Sequence, residues 1–188
     1  MIVRTEYQAP REHLAERLNL SYEDLVHIVF ESETAREASL GRISTQQHWE
    51  ALASRLGRPP SEATVLRDEF FAGDVLDREL LAFIRSLRPA HRTGLISNAW
   101  SNLREYITKN HFADAFDTLV ISAEVGLLKP DPRMYELALE RLAVGPGQAV
   151  MVDDMPSNVA AARSLGMRGI VFQNTAQTVG ELQALLGQ

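Results

Sequence analysis

After Pro89 the sequence changes its pattern, and the change leaves few folds open. Short apolar runs bounded by turn-forming residues alternate there with stretches of helical period. The runs are Thr93 to Ile96, Thr118 to Ile121, Ala149 to Val152 and Gly169 to Phe172. Helical stretches fall between them, at Ser101 to Lys109, Pro132 to Leu142 and Ser157 to Leu165. Strand and helix in regular alternation imply right-handed crossovers and a mostly parallel sheet with helices on both faces. The near-continuous apolar character of each run fits strands buried on both sides. The expected fold class is α/β, with a Rossmann-like parallel core.

The part before Pro89 follows a different pattern. From Pro10 to Leu87 apolar residues recur at helical spacing, as in Leu14 and Leu18, then Leu25, Ile28 and Val29. Ser21, with Asp24 three residues on, predicts a helix N-cap. Ser44 predicts another cap, and Ser61 a further helix start after the Gly57-Arg58-Pro59-Pro60 break. With no strand-like alternation here, this half reads as a helical bundle. The expected division is residues 1–8 as a leading segment, 9–75 as a helical cap and 76–188 as the α/β core.

Composition narrows the function. The chain has 188 residues, a formal net charge of -6 and no basic run, which excludes the clustered cations of a nucleic-acid binder. Cysteine is absent, so disulfides, Cys-ligated zinc and thiol chemistry are excluded together. No apolar stretch approaches the roughly 18 residues that cross a bilayer. The first residues, Met1 to Glu6, lack a signal pattern. The expectation is a cytoplasmic protein without membrane or nucleic-acid partners.

In open parallel sheets, ligands bind beyond the carboxyl ends of the strands. The residues there are Ser97-Asn98, Ser122, Asp153-Asp154 and Gln173-Asn174. Adjacent carboxylates at the end of a buried strand are costly unless a cation or donors compensate. A hard divalent ion such as Mg2+ suits them, since it takes one or two carboxylates and keeps waters that a phosphate can replace. The plain alternative is that Asp154 or Ser157 caps the next helix and no metal is involved. Ser97-Asn98 could hold a phosphate oxygen, or could be ordinary turn residues. Lys129 precedes Pro130-Asp131-Pro132, where Asp131 predicts an N-cap and Pro132 a first helical residue. That sets Lys129 just ahead of a helix N-terminus, an environment favouring anions, unless it is a solvated surface lysine. A metal site, a cation and phosphate donors on one edge point together to phosphoryl chemistry.

These segments resemble a known family. Leu95-Ile96-Ser97-Asn98 is similar to the second motif of the haloacid dehalogenase superfamily, and Ser122 through Lys129-Pro130-Asp131-Pro132 to its third. Val152-Asp153-Asp154-Met155-Pro156-Ser157-Asn158 is similar to the fourth. The helical half resembles the small cap of the branch that holds bacterial sugar-phosphate phosphatases and the phosphatase domain of soluble epoxide hydrolase. The resemblance implies a Mg2+-dependent phosphomonoester phosphatase acting on a small phosphorylated metabolite through an aspartyl-phosphate. It assigns Ser97, Asn98 and Lys129 to the phosphoryl group, Asp154 and Asp153 to Mg2+, and Asn158 to a supporting position.

One departure matters. The family's first motif, an apolar strand ending in the nucleophilic aspartate, has no counterpart, since no aspartate precedes Asp24. The chain as given is therefore expected to be inactive, with its first core strand absent. The alternatives are a non-catalytic module binding a phosphate ligand or a protein, and a 2-haloacid dehalogenase, which the Asp153-Asp154 pair disfavours. Unpaired strand edges should then be covered by Met1 to Arg4 or by a second molecule, as in a homodimer. Arg36, His27, Trp49 and Trp100 could line an entrance, with Trp49 and His27 assigned to core packing.

Overall fold

A computed structural model of the chain describes residues 1–187. Strand β1 (Val3–Thr5) is followed by five helices: α1 (Ala9–Arg17), α2 (Tyr22–Glu31), α3 (Glu33–Ser39), α4 (Thr45–Arg55) and α5 (Ala63–Phe70). Ser21 starts α2 by accepting from the Asp24 amide, and Ser32 starts α3 by accepting from the Ala35 amide. Ser44 and Gln47 form a capping box on α4. The start expected at Ser61 lies instead at Ala63, because Pro60–Glu62 first makes a single 3-10 turn.

Strand β2 (Asp74–Leu76) lies in a stretch expected to hold none, and pairs antiparallel with β1, Val3 opposite Leu76 and Thr5 opposite Asp74. Met1 to Arg4 therefore does not fill a place in the parallel sheet. The side chains explain why: Thr5 Oγ1 donates to Asp74 Oδ1 at 2.8 Å, and the Arg4 guanidinium meets Asp77 at 2.8 Å. A slot covered on both faces would leave such polar groups unpaired.

The bundle buries Leu14, Leu25, Val29, Trp49, Leu52 and Phe70 in one cluster. Arg11 is buried at its edge, its Nε donating to the Phe70 carbonyl at 3.1 Å and its guanidinium lying 4.1 Å from the Phe70 ring centre. Trp49 packs in this core as expected, but His27 does not: its side chain is 67% exposed and bonds Glu31 at 2.9 Å. Leu25 and Val29, four apart, mark the buried face of α2, and His27 falls midway between them on the opposite side.

The alternation expected after Pro89 is present. Following α6 (Arg78–Ser86) come β3 (Gly94–Ser97), α7 (Leu103–Lys109), β4 (Thr118–Ile121), α8 (Ser122–Val125) and α9 (Pro132–Leu142). Then follow β5 (Val150–Asp153), α10 (Pro156–Ser164), β6 (Arg168–Val171) and α11 (Thr175–Leu186). Strand β3 pairs parallel with β4, Ser97 opposite Ile121, and β5 pairs parallel with β6, Asp153 opposite Val171. The two pairs share layers on both faces. Leu95 and Val152 pack with Leu80, Ile107 and Phe172, while Ile96 and Met151 pack with Tyr135, Leu139 and Ala162. This is the Rossmann-like α/β core, with β3 and β5 not hydrogen-bonded to each other among the described residues. No helix among the described residues is long and apolar enough to cross a membrane.

The bundle meets the core at the carboxyl ends of β3 and β4. Trp100, just beyond β3, is buried in the bundle's own cluster. Thr45 Oγ1 lies 3.1 Å from Ser101 Oγ and donates to Asn102 Oδ1 at 3.2 Å. Gly41, at φ +71, approaches Ala123 so closely that a Cβ there would lie 2.0 Å from the Ala123 carbonyl oxygen.

Candidate active site

The loop between α8 and α9 carries Lys129 to the strand ends. Gly126, at φ +68, ends α8 in the left-handed region that a glycine adopts without penalty. Asp131 caps α9 by accepting from the Arg133 amide, with Pro132 as the first helical residue. Held between these two ends, Lys129 donates from Nζ to the Ile96 carbonyl at 3.1 Å and to Asp153 Oδ2 at 2.5 Å. One ammonium thus touches the carboxyl ends of both β3 and β5. Asn98 fixes the lysine's main chain from both sides: its Nδ2 donates to the Lys129 carbonyl at 3.0 Å, and its Oδ1 accepts from the Lys129 amide at 2.7 Å.

Asp153 is 3% exposed and fully partnered. Oδ1 accepts from the Met155 amide and from Asn158 Nδ2, each at 2.9 Å, while Oδ2 takes the lysine. Burial pushes its pKa up, but the neighbouring Lys129 charge and the three donors outweigh it and hold the carboxyl below its ordinary value. Tyr135 is buried beneath, its hydroxyl donating to the Asn158 carbonyl at 3.0 Å. Burial, then the Asp153 charge, pushes that phenol up to about 12, so it stays a neutral donor. Asp154 turns outward, with a side chain 59% exposed and Oδ2 3.7 Å from the Met1 nitrogen.

The structure therefore brings Asn98, Lys129, Asp153 and Asn158 into direct contact, with Ser97 at the end of β3 and Asp154 beside them. Ser122 stands apart in role: it is buried, donates to the Ala99 carbonyl and accepts from the Ala99 amide, locking the loop after β3 to the end of β4. Gln173 and Asn174 serve α11, whose N-cap is Asn174. Sequence reasoning missed the support from Tyr135 and from the Met155 amide; a tyrosine on a buried helical face gives no cue to its hydroxyl's partner.

No group of three or more His, Cys, Asp or Glu side chains that could hold a metal occurs among the described residues. A cation here would rest on two carboxylates. That oxygen-only donor pair fits Mg2+, which commonly takes one or two carboxylates and completes its shell with water and phosphate. The Asp154 carboxylate is the exposed one of the pair, whereas both Asp153 oxygens are already engaged by protein donors.

The parallel α/β core is the fold of the haloacid dehalogenase-like hydrolases. The model of that hydrolase family matches residues 3–166, and the chain belongs to it. It is 29% identical over 174 residues to a sesquiterpene phosphatase of Aspergillus oryzae, covering 89% of this chain and 86% of the relative. It is 33% identical over 100 residues to bifunctional epoxide hydrolase 2 of Rattus norvegicus, covering 50% of this chain and only 18% of that protein's length. Its fold is similar to that of a haloacid dehalogenase family enzyme of Bacteroides thetaiotaomicron solved with magnesium and inorganic phosphate. That likeness has a TM-score of 0.77 at 16% identity, over 92% of this chain and 89% of the other.

Proposed function

We propose that the chain is the body of a Mg2+-dependent phosphomonoester phosphatase that takes a small phosphorylated metabolite. The observation that carries this reading is the Lys129–Asp153–Asn158 cluster beside the outward-facing Asp154. The name of the Aspergillus relative and the ligands of the Bacteroides enzyme support it. The Ser97 hydroxyl and the Lys129 ammonium would hold the phosphoryl oxygens, and Asn98 keeps the lysine in place by its main chain. Asp154 would ligate Mg2+ directly, while Asn158 and the Met155 amide fix Asp153 behind it. A bound Mg2+ would offset phosphate charge. Residues 9–75 would act as the cap over core residues 76–188.

The family resemblance gives the attack on phosphorus to an aspartate at the end of a further strand. The first aspartate in the sequence is Asp24, on α2, bonded to Ser21 at 2.7 Å. Residues 1–188 alone are therefore expected to bind a phosphate ester without hydrolysing it.

The test is phosphate release from a panel of phosphomonoesters, with calorimetry alongside, with and without Mg2+, for the chain and for Asp154→Asn. Mg2+-dependent binding that Asp154→Asn abolishes, without release, is the expected outcome. Release that needs both Mg2+ and Asp154 would mean that another group attacks. Absence of all binding would overturn the reading.

A further inference from the structure

We propose that Arg163 and Gln177 are blocking groups, which close the outer edge of β6 to strand addition by a second copy of this chain. The argument rests on the fold and not on the phosphatase reading. Among the described residues β6 pairs only with β5. Along a strand, successive residues turn their N–H and C=O groups to opposite edges. The Arg168 and Phe172 amides donate to the Ala149 and Asp153 carbonyls, so Arg168, Ile170 and Phe172 face β5. By alternation, Gly169, Val171 and Gln173 turn their main-chain groups to the other edge.

Side chains occupy that edge. Arg163 Nη2 donates to the Gly169 carbonyl at 2.7 Å. Gln177 makes two contacts: its Nε2 donates to the Val171 carbonyl at 3.3 Å, and its Oε1 accepts from the Gln173 amide at 3.1 Å. A residue of an added parallel strand would form the same two bonds, one on either side of Phe172. The Gln177 carboxamide therefore imitates a peptide group of a neighbouring strand. Glu181 and Thr178 hold it there: Glu181 Oε1 accepts from Nε2 at 2.5 Å, and Thr178 Oγ1 donates to Oε1 at 3.1 Å. Both outward carbonyls of β6 are thus filled, while the Gly169 and Val171 amides have no partner among the described residues.

The outward groups are self-complementary, which is why the excluded partner is a second copy. A two-fold axis at Ile170 would set Gly169 of one copy opposite Val171 of the other, in an antiparallel pair. Each bare amide would then meet a carbonyl that Arg163 or Gln177 now takes. A groove of about 500 Å³ beside the edge, lined in part by Met167, Ile170, Ala184 and Leu185, offers apolar surface for an added strand to rest against. An edge of this kind left bare is a template for association, and side chains laid over its acceptors remove half of the bonds on offer.

The experiment is light scattering and hydrogen exchange over a range of protein concentrations. It compares the full chain with the double variant Arg163→Ala, Gln177→Met and with Arg168→Ala, which removes a cation from the same edge but no hydrogen bond. In the double variant the mass is expected to rise toward a dimer with concentration, and exchange at the Gly169 and Val171 amides to slow by on the order of tenfold or more. In the unaltered chain and in Arg168→Ala those two amides are expected to exchange rapidly at every concentration. The Ile170 amide, which faces β5, should stay slow throughout and reports that the sheet is intact; if the double variant loses that protection, Gln177→Met alone carries the test. A double variant that stays monomeric would overturn the proposal, as would association that leaves Gly169 and Val171 unprotected. Equal association by Arg168→Ala would give the effect to charge, and concentration-dependent protection of the two amides in the unaltered chain would show the edge open; either would overturn it too.

Discussion

Lys129 and Asp153 form an ion pair at 2.5 Å with side chains only 10% and 4% exposed, joining a loop to the end of a strand. Such a pair is weak evidence of net stabilisation, because both charges lose their hydration. Losing one partner is a different matter, since the other charge then stays buried alone.

Lys129→Met is accordingly expected to cost about 3 kcal/mol in urea unfolding, the usual scale for a broken buried pair. The double variant Lys129→Met, Asp153→Asn should recover part of that loss. The folded pKa of Asp153 lies below its unfolded value, so its contribution is present above about pH 4 and fades as pH falls through the folded pKa. In Lys129→Met, which removes the chief influence holding that pKa down, the loss of stability on acidification should therefore be smaller. A cost below 1 kcal/mol, or a double variant weaker than the single, would sink the account.

His48 gives a second pH dependence. It is fully buried, its Nδ1 2.9 Å from Thr34 Oγ1, while Nε2 makes no hydrogen bond within normal geometry. Burial, against a weaker pull from the Val29 main chain, lowers its pKa from 6.5 to about 4. Between those values the unfolded chain gains a proton that the folded chain refuses. Stability present at pH 7 is thus lost as pH falls from about 6.5 toward 4, by up to about 3 kcal/mol. Urea midpoints at pH 7 and 4.5 measure this, and His48→Gln should flatten the difference. An equal slope in the variant would assign the effect elsewhere.

Gly41 tests the seam between bundle and core. Gly41→Ala adds a Cβ against the Ala123 carbonyl oxygen at a position with φ +71. Overlap and left-handed strain together are expected to destabilise by about 2 kcal/mol or more. Gly57→Ala, at φ +69 with nothing within 4 Å, carries the strain alone and should cost less. Equal thermal shifts for the two would show that the contact carries no weight.

Asp77 ties three elements together. Its carboxylate caps α6 at the Leu80 amide, accepts from Thr175 Oγ1 at 2.5 Å and pairs with Arg4 at 2.8 Å. Asp77→Ala should cost about 2–3 kcal/mol, a lost cap plus orphaned partners. Asp77→Asn, which keeps the capping oxygen, should cost visibly less in the same denaturation series.

Legibility followed the range over which each signal acts. The strands from Thr93 onward were readable because short, mostly apolar runs bounded by turn residues need no knowledge of distant neighbours, and observed bounds differ by at most one residue at each end. Caps at Ser21, Ser44 and Asp131 were readable because donor and acceptor lie within three residues. Strand β2 escaped because Asp74-Val75-Leu76 has neither length nor alternation, and its partner lies some seventy residues earlier. The site residues were legible as types at strand ends. Which donor meets which carboxylate, as with Tyr135, Asn158 and Asp153, is decided by packing between distant helices and leaves no local trace.

The place of Trp100 in the bundle's cluster has an optical consequence. The chain has two tryptophans, and their rings lie 6.1 Å apart, both within that cluster. Indole emission from this protein is therefore a local gauge. It reads whether the bundle and the loop after β3 are joined, and it is blind to the far pair of strands. An unfolding curve followed by fluorescence and one followed by far-ultraviolet circular dichroism would track different parts of the molecule. Their coincidence or separation would tell whether bundle and sheet melt as one.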